Sequence, residues 1–176
     1  GLFDIFKKKE APAAPAAPTA IDAQAGADVL ARRVSGKAIK MVDVPDPVFS
    51  GEVLGKGCAV WPEGDIVYAP VSGKVTVTMG HAVGIMSDSG IEVLVHVGDT
   101  VNLQGKGFTG YVGQGDQVVA GQPVLKMDRA VIAEAGYKDC VVLAVSNSAE
   151  FEAVEMTVEP EASVAAGAAV VKVVRK

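Results

Sequence analysis

The chain has 176 residues, 49% of them apolar and only 5% aromatic, and its 21 Asp and Glu against 16 Lys and Arg leave a net charge of −5. That is enough chain for one folded domain and a tail, with a core built from Val, Ala, Ile, Leu and Met. The acidic balance argues against nucleic acid, whose phosphates are bound by basic patches, and the absence of an apolar run of ~18 residues argues against a membrane-spanning helix.

The expected organisation is a tail and linker over 1–28 and a folded domain over 29–176. The first ten residues read GLFDIFKKKE and the next ten APAAPAAPTA. Proline denies regular backbone hydrogen bonding, so the Ala/Pro stretch reads as a semi-rigid linker. Ahead of it, Leu2, Phe3, Ile5 and Phe6 stand beside Lys7, Lys8 and Lys9. Two readings are open there: a short helical turn that dips its apolar side into an anionic membrane surface, or a solvated lysine run. No basic segment precedes an apolar one as in a secretory signal. Cys58 and Cys140 are too few for a disulfide framework and read as core residues of a reduced protein. The expected location is therefore cytoplasmic, with peripheral contact at the inner membrane if the tail behaves as described.

From Val29 onward, short Val-rich runs are separated by Gly, Pro, Asp and Ser. Strands are expected at 66–68, 75–79, 82–86, 91–97, 124–127, 141–145 and 170–174, closed by turns such as Val71-Ser72-Gly73, Ser87-Asp88-Ser89-Gly90 and Val119-Ala120-Gly121. The single expected helix is 128–135, opened by Asp128 as cap and closed by Gly136. This pattern predicts an all-β fold, an antiparallel sandwich of barrel-like character with at most one or two short helices.

The chain has only two histidines, His81 and His96, 96 − 81 = 15 residues apart. The turn 87–90 lies halfway between them, so a hairpin would make them cross-strand neighbours. Alternation along the second strand places Glu92, Leu94 and His96 on one face and Ile91, Val93, Val95 and Val97 on the other. A single histidine is more often a structural residue than a reactive one. Two placed to meet, with aliphatic neighbours, point to chemistry at imidazole.

The stretch Gly90-Ile91-Glu92-Val93-Leu94-Val95-His96-Val97-Gly98 resembles the phosphorylation-site signature of the glucose-type enzyme IIA family of the bacterial sugar phosphotransferase system. Asp99-Thr100-Val101-Asn102-Leu103-Gln104-Gly105-Lys106-Gly107-Phe108 resembles its continuation. Other blocks are similar in the same order: Val44-Pro45-Asp46-Pro47-Val48-Phe49-Ser50, Gly55-Lys56-Gly57, Ala69-Pro70-Val71-Ser72-Gly73, Gly80-His81-Ala82, Gly121-Gln122-Pro123-Val124 and Val145-Ser146-Asn147. The likeness spans about 29–174. In two places the chain departs from the family pattern: Gly98 runs directly into Asp99, one residue short, and Met79 stands where members often carry threonine.

The resemblance implies an all-β phosphocarrier that takes a phosphoryl group from the histidine phosphocarrier protein HPr and passes it to a cysteine on a sugar-specific enzyme IIB. Carried over by position, it makes His96 the phosphorylated nucleophile and His81 the companion that hydrogen-bonds the phosphate. Val48 and Phe49 fall on an apolar rim for docking partners, and Asp99 and Thr100 on supporting positions. It also allows regulatory contacts with non-PTS transporters or kinases. Neutral imidazole, with an ordinary pKa of ~6.5, is a competent nucleophile near pH 7, and an apolar surround keeps water from the phosphohistidine. No cofactor is required, although a weak zinc site at His81 and His96, shared with a partner carboxylate, is compatible.

Two other function classes use the same residues. A zinc hydrolase could take His81, His96 and Asp99 as ligands, but no dense ligand motif such as HExxH accompanies them. A biotinyl or lipoyl carrier is suggested by Gly115-Asp116-Gln117-Val118-Val119-Ala120-Gly121-Gln122-Pro123-Val124 with Lys126-Met127. That lysine, however, falls inside an expected strand instead of at a hairpin tip.

Overall fold

The structure, a computed structural model, describes residues 17–23, 26–31, 35–98 and 100–176. In chain order its elements are β1 (Val29–Ala31), β2 (Gly36–Lys40), α1 (Pro47–Ser50), β3 (Lys56–Pro62), β4 (Ile66–Tyr68), β5 (Gly73–Met79), β6 (Ala82–Ser87), β7 (Glu92–Val97), β8 (Phe108–Gly110), β9 (Gln117–Val118), β10 (Pro123–Met127), α2 (Arg129–Glu134), β11 (Val141–Val145), β12 (Phe151–Met156), β13 (Ser163–Val164) and β14 (Ala169–Arg175). The fold is all-β and antiparallel, with two short helices among the described residues, as the strand-rich pattern predicts. No helix among these residues is long and apolar enough to cross a membrane.

An eight-stranded sheet runs β13-β2-β3-β11-β7-β6-β5-β9, and two three-stranded sheets run β1-β14-β12 and β4-β10-β8. Strand β11 lies between β3 and β7 with all five residues buried, because both of its faces are covered. Val141, Leu143 and Val145 point into the large core, together with Val93, Val95 and Val97 of β7 and Ile85 of β6. Val142 and Ala144 point the other way, into a smaller cluster with Ile39, Met41, Val44, Phe49, Ala59 and Cys140. The segment that follows β2, a short 3-10 turn and then α1, forms the lid of that smaller cluster.

The expected strands at 66–68 and 141–145 match β4 and β11, and the others are found to within a residue or two. The expected helix is α2, with Asp128 accepting from the N–H groups of Ala130 and Val131 and Gly136 following at φ +81°. Strands β2, β3 and β12, the short strands β1, β8, β9 and β13, and helix α1 lie outside the expected elements. β2 and β3 carry Lys37, Lys40, Lys56, Gly57 and Trp61 among their apolar residues, so neither alternation nor a Val-rich run marks them. Helix α1 did carry a signal: Asp46 followed by Pro47 is a capping residue and then a proline at the first helical position.

Ahead of β1, Ile21 donates its N–H to the Gly121 carbonyl at 3.0 Å. Gly121, at φ +92°, has no room for a side chain, because a Cβ there would meet the Ile21 carbonyl oxygen at 2.0 Å. The stretch from Leu2 to Lys9, for which membrane contact was an open reading, lies outside the described residues.

Candidate functional site at His81 and His96

His96 occupies the next-to-last position of β7, and its face is set by alternation: residues 92–97 run half-buried, buried, half-buried, buried, half-buried, buried. Val93, Val95 and Val97 drive that register by filling the large core, which turns Glu92, Leu94 and His96 to the opposite face. Across the sheet, His96 stands in one row with Ile39, Ala59, Val142, Ala82 and Met79. Its side chain thus shares a face with the smaller apolar cluster.

His81 does not lie opposite His96, as the midpoint of the hairpin suggested. Ser87 N–H bonds the Ile91 carbonyl, so the loop is Asp88-Ser89-Gly90, a three-residue loop with Gly90 at φ +89°. The register is therefore displaced by one. Ala82 faces His96, and Val97 N–H bonds the His81 carbonyl at 2.8 Å. In a continuous strand that displacement would send the two imidazoles to opposite faces. They meet because His81 lies outside the strand, in the turn Gly80-His81 that joins β5 to β6. Freed from strand alternation, its ring lies 4.7 Å from that of His96, edge to face at 85°. Gly80 makes the turn possible by close approach: a Cβ there would meet Gly105 Cα at 2.6 Å.

Two phenylalanines flank the pair. The Phe49 ring lies 4.8 Å from His96 at 52°, and Phe108 lies 6.5 Å from His81 at 61°. Phe108 was not among the expected site residues, and only its place in the motif that follows Gly107 pointed to it. Val48 and Phe49, expected on an apolar rim for docking partners, differ in burial. Val48 is 45% exposed, but Phe49 is 3% exposed, because its side chain points into the smaller cluster and against His96.

Gly98 and Thr100, beyond His96, are each tied to neighbouring backbone. Gly98, at φ +41°, passes so close to Lys138 that a Cβ would meet its carbonyl oxygen at 1.8 Å, and its N–H bonds the Cys140 carbonyl at 2.6 Å. Thr100 is fully buried and its hydroxyl donates to the Val97 carbonyl at 2.6 Å, which ties down the end of β7. Asp99 lies outside the described residues.

Burial pushes the His96 pKa from 6.5 down to about 4, reinforced by repulsion from His81 and opposed by Asp46 and the Gly98 backbone. Burial also lowers that of His81. By solvent area His81 is the more closed of the two, at 6% exposed, yet His96 lies deeper among protein atoms, and that depth governs the cost of charging it. Its Nδ1 is buried without a hydrogen bond of normal geometry among the described residues. The Gly98 backbone is nevertheless a hydrogen-bonding influence on the ring. Both rings are therefore neutral at pH 7, and the pair carries no permanent positive charge.

No group of three or more His, Cys, Asp or Glu side chains among the described residues gathers where a metal could bind, so the two imidazoles provide only part of a zinc ligand set. Lys126 lies within β10, between β4 and β8, with Asp65 at 3.9 Å. It is not at a hairpin tip, where a swinging biotinyl or lipoyl lysine would have to be.

The profile of the phosphoenolpyruvate-dependent sugar phosphotransferase system, EIIA 1 family matches residues 28–151. Among curated relatives, the PTS mannose-specific EIIBCA component of Corynebacterium glutamicum is 43% identical over 125 residues, which cover 69% of this chain and 18% of that protein. The PTS glucose-specific EIIA component of Oceanobacillus iheyensis is 37% identical over 118 residues, 65% of this chain and 72% of that one. Among solved structures, glucose permease IIA from Mycoplasma capricolum is similar with a TM-score of 0.69 at 31% identity, covering 81% of this chain and 93% of that one. The chain spans only about a fifth of the length of the multi-component relatives that it matches, such as the corynebacterial protein at 18% and the Bacillus subtilis beta-glucoside-specific EIIBCA component at 21%. Family profile, relatives and fold agree, and the chain belongs to the EIIA 1 family of the phosphoenolpyruvate-dependent sugar phosphotransferase system, the glucose-type enzymes IIA.

Proposed function

We propose that this protein is a phosphocarrier of sugar uptake that holds a phosphoryl group on Nε2 of His96, receiving it from phosphorylated HPr and passing it to a sugar-specific enzyme IIB. The observation that carries this reading is the meeting of two neutral imidazoles at 4.7 Å, one of them with its Nδ1 buried. Burial of Nδ1 leaves Nε2 as the nitrogen open to a partner. With a pKa near 4, His96 is unprotonated at pH 7 and needs no base to free its lone pair.

In the first step the Nε2 lone pair forms a bond to phosphorus while the phosphorus–nitrogen bond to the donor histidine breaks, its electron pair returning to the donor ring. In the second, a cysteine thiolate of enzyme IIB attacks the phosphorus and the His96 imidazole leaves. The protein's share in such a transfer is positioning and charge stabilisation. His81 donates a hydrogen bond to the phosphoryl oxygens, a neutral contact that an arginine would replace with a permanent charge. Exposed Val48, Met79 and Val101, close in sequence to Phe49, His81 and His96, offer apolar surface for docking. Thr100 holds the end of β7. A zinc ion at His81 and His96 would take its remaining ligand from a partner. The protein acts on the cytoplasmic side, where both partners are.

The test is incubation with phosphoenolpyruvate, enzyme I and HPr, followed by mapping of the acid-labile phosphate. His96→Ala takes up none, whereas His81→Gln is labelled but relays the group slowly to enzyme IIB. Normal labelling of the His96 variant refutes the assignment.

A further inference from the structure

A groove of about 410 Å³ that contains neither histidine opens between two walls of the fold. One wall is the end of β2 and the 3-10 turn after it, with Met41 and Val42. The other is β12 and the segment after it, with Val154, Met156 and Val158. The walls are fixed to each other, because Ala38 N–H donates to the Ala162 carbonyl at 3.1 Å and Glu161 N–H to the Ala38 carbonyl at 2.5 Å. Val42 is 57% exposed, and Val154, Met156 and Val158 are only partly buried. Apolar surface gathered in a groove open to water marks a place for an apolar occupant. Glu52 and Glu159 line it against a single cation, Lys40, so the charge favours an occupant that is also basic.

The chain carries a segment of that composition. Leu2, Phe3, Ile5 and Phe6 stand at the spacing of one helix face and are followed by Lys7, Lys8 and Lys9. Residues 2–9 lie outside the described residues, but the stretch that leads to them is anchored beside the groove. The Asp22 carbonyl runs against Gly167, where a Cβ would meet its oxygen at 2.2 Å. Val170, three residues on, accepts at 2.8 Å from the N–H of Thr157, which stands between Met156 and Val158. Three residues span roughly 10 Å. Residues 10–16, in the Ala/Pro stretch, add about 20 Å of reach at ~3.1 Å each.

We propose that this groove holds the chain's own N-terminal segment, residues 2–9, with its four apolar side chains against the valines and methionines and its lysines beside Glu52 and Glu159. A short tether gives the segment a local concentration on the order of millimolar, so a contact too weak to hold a free peptide is occupied within the chain. The contact is independent of phosphoryl transfer.

The experiment uses the full chain with isotope-enriched methionine methyl groups and a nitroxide on Glu10→Cys. Cys58 and Cys140 are buried, so only the new thiol is labelled. Met41 and Met156 report on the groove, while Met79 and Met86, both exposed, and Met127, fully buried, are controls. The nitroxide is expected to abolish the Met41 and Met156 signals and leave the other three. Adding Phe3→Ser and Phe6→Ser together, or Val42→Lys at its exposed position, restores both signals. An unmoved Met127 resonance shows that these variants keep the fold. The proposal is overturned if Met41 and Met156 keep their intensity under the label, or if their loss survives those substitutions, which would show proximity by tethering alone. It is also overturned if the loss appears when enriched chains without nitroxide are mixed with unenriched chains carrying it, since the occupant is then a second copy.

Discussion

Acid should weaken this protein through His96, and the size of the effect follows from its burial. The folded pKa is about 4 against an ordinary 6.5, so between those values the unfolded chain binds a proton that the native site refuses. Stability is therefore unaffected by this group well above pH 6.5, falls as pH drops below that value, and stops falling below about pH 4. At pH 5.5 the ratio of the two protonation factors is about ten, which is about 1.4 kcal/mol lost relative to pH 7.5. Replacing His96 with Gln keeps a neutral polar side chain but removes the titration. Urea unfolding of both proteins at pH 7.5 and 5.5 isolates the difference, because carboxylates and His81 titrate in both. The lower pH stays above the sequence pI of 5.0, where solubility is poorest. Trp61, the single tryptophan, packs against the cluster that holds Phe49 and provides the fluorescence signal. Wild type should lose about 1.4 kcal/mol more than His96→Gln, a relative midpoint shift of about 0.5–1 M urea. Equal losses in the two proteins refute the argument that a buried, uncharged imidazole sits at this position.

Three further outcomes are expected. Gly98→Ala should destabilise by about 2 kcal/mol or more in urea unfolding and impair labelling of His96, since the new Cβ meets the Lys138 carbonyl and the backbone is left-handed. Thr100→Val should cost about 1–3 kcal/mol, the range for leaving a buried carbonyl, here that of Val97, without its donor. Phosphate uptake by His96 from phospho-HPr, measured against a pH-matched donor, should be flat between pH 6 and 8, because the acceptor is already neutral throughout. A rise with a midpoint near 6.5 would show a solvent-like imidazole instead.

Much of this protein was legible in its residues, for local reasons. Val-rich runs punctuated by glycine mark β4, β7 and β11, and the alternation of β7 already turned His96 away from Val93, Val95 and Val97. Asp128 and Gly136 bracketed α2 because capping is a short-range effect. The scarcity of histidine, with the Gly90–Gly98 motif around it, singled out the site and its family. Strands β2 and β3 escaped notice because their apolar residues are interleaved with Lys, Gly and Trp, and only a neighbouring strand makes such a segment extended.

What no local pattern contained is the meeting of groups across the sheet. The register of β6 on β7 depends on a three-residue loop, and the single-residue displacement would part the two imidazoles had His81 not fallen in a turn. Phe49 and Val48 are adjacent and both apolar, so nothing in the order of residues says which is buried. The fold decides, because α1 closes over the outer face of the sheet and must fill it with one of them. The depressed pKa of His96 has the same origin: it comes from the density of atoms that tertiary packing brings around a ring. The residues alone therefore determined the type of fold and pointed to the two candidate histidines, through short-range backbone preferences and side-chain chemistry. Their convergence, orientation and charge state were decided by contacts between segments far apart in the chain.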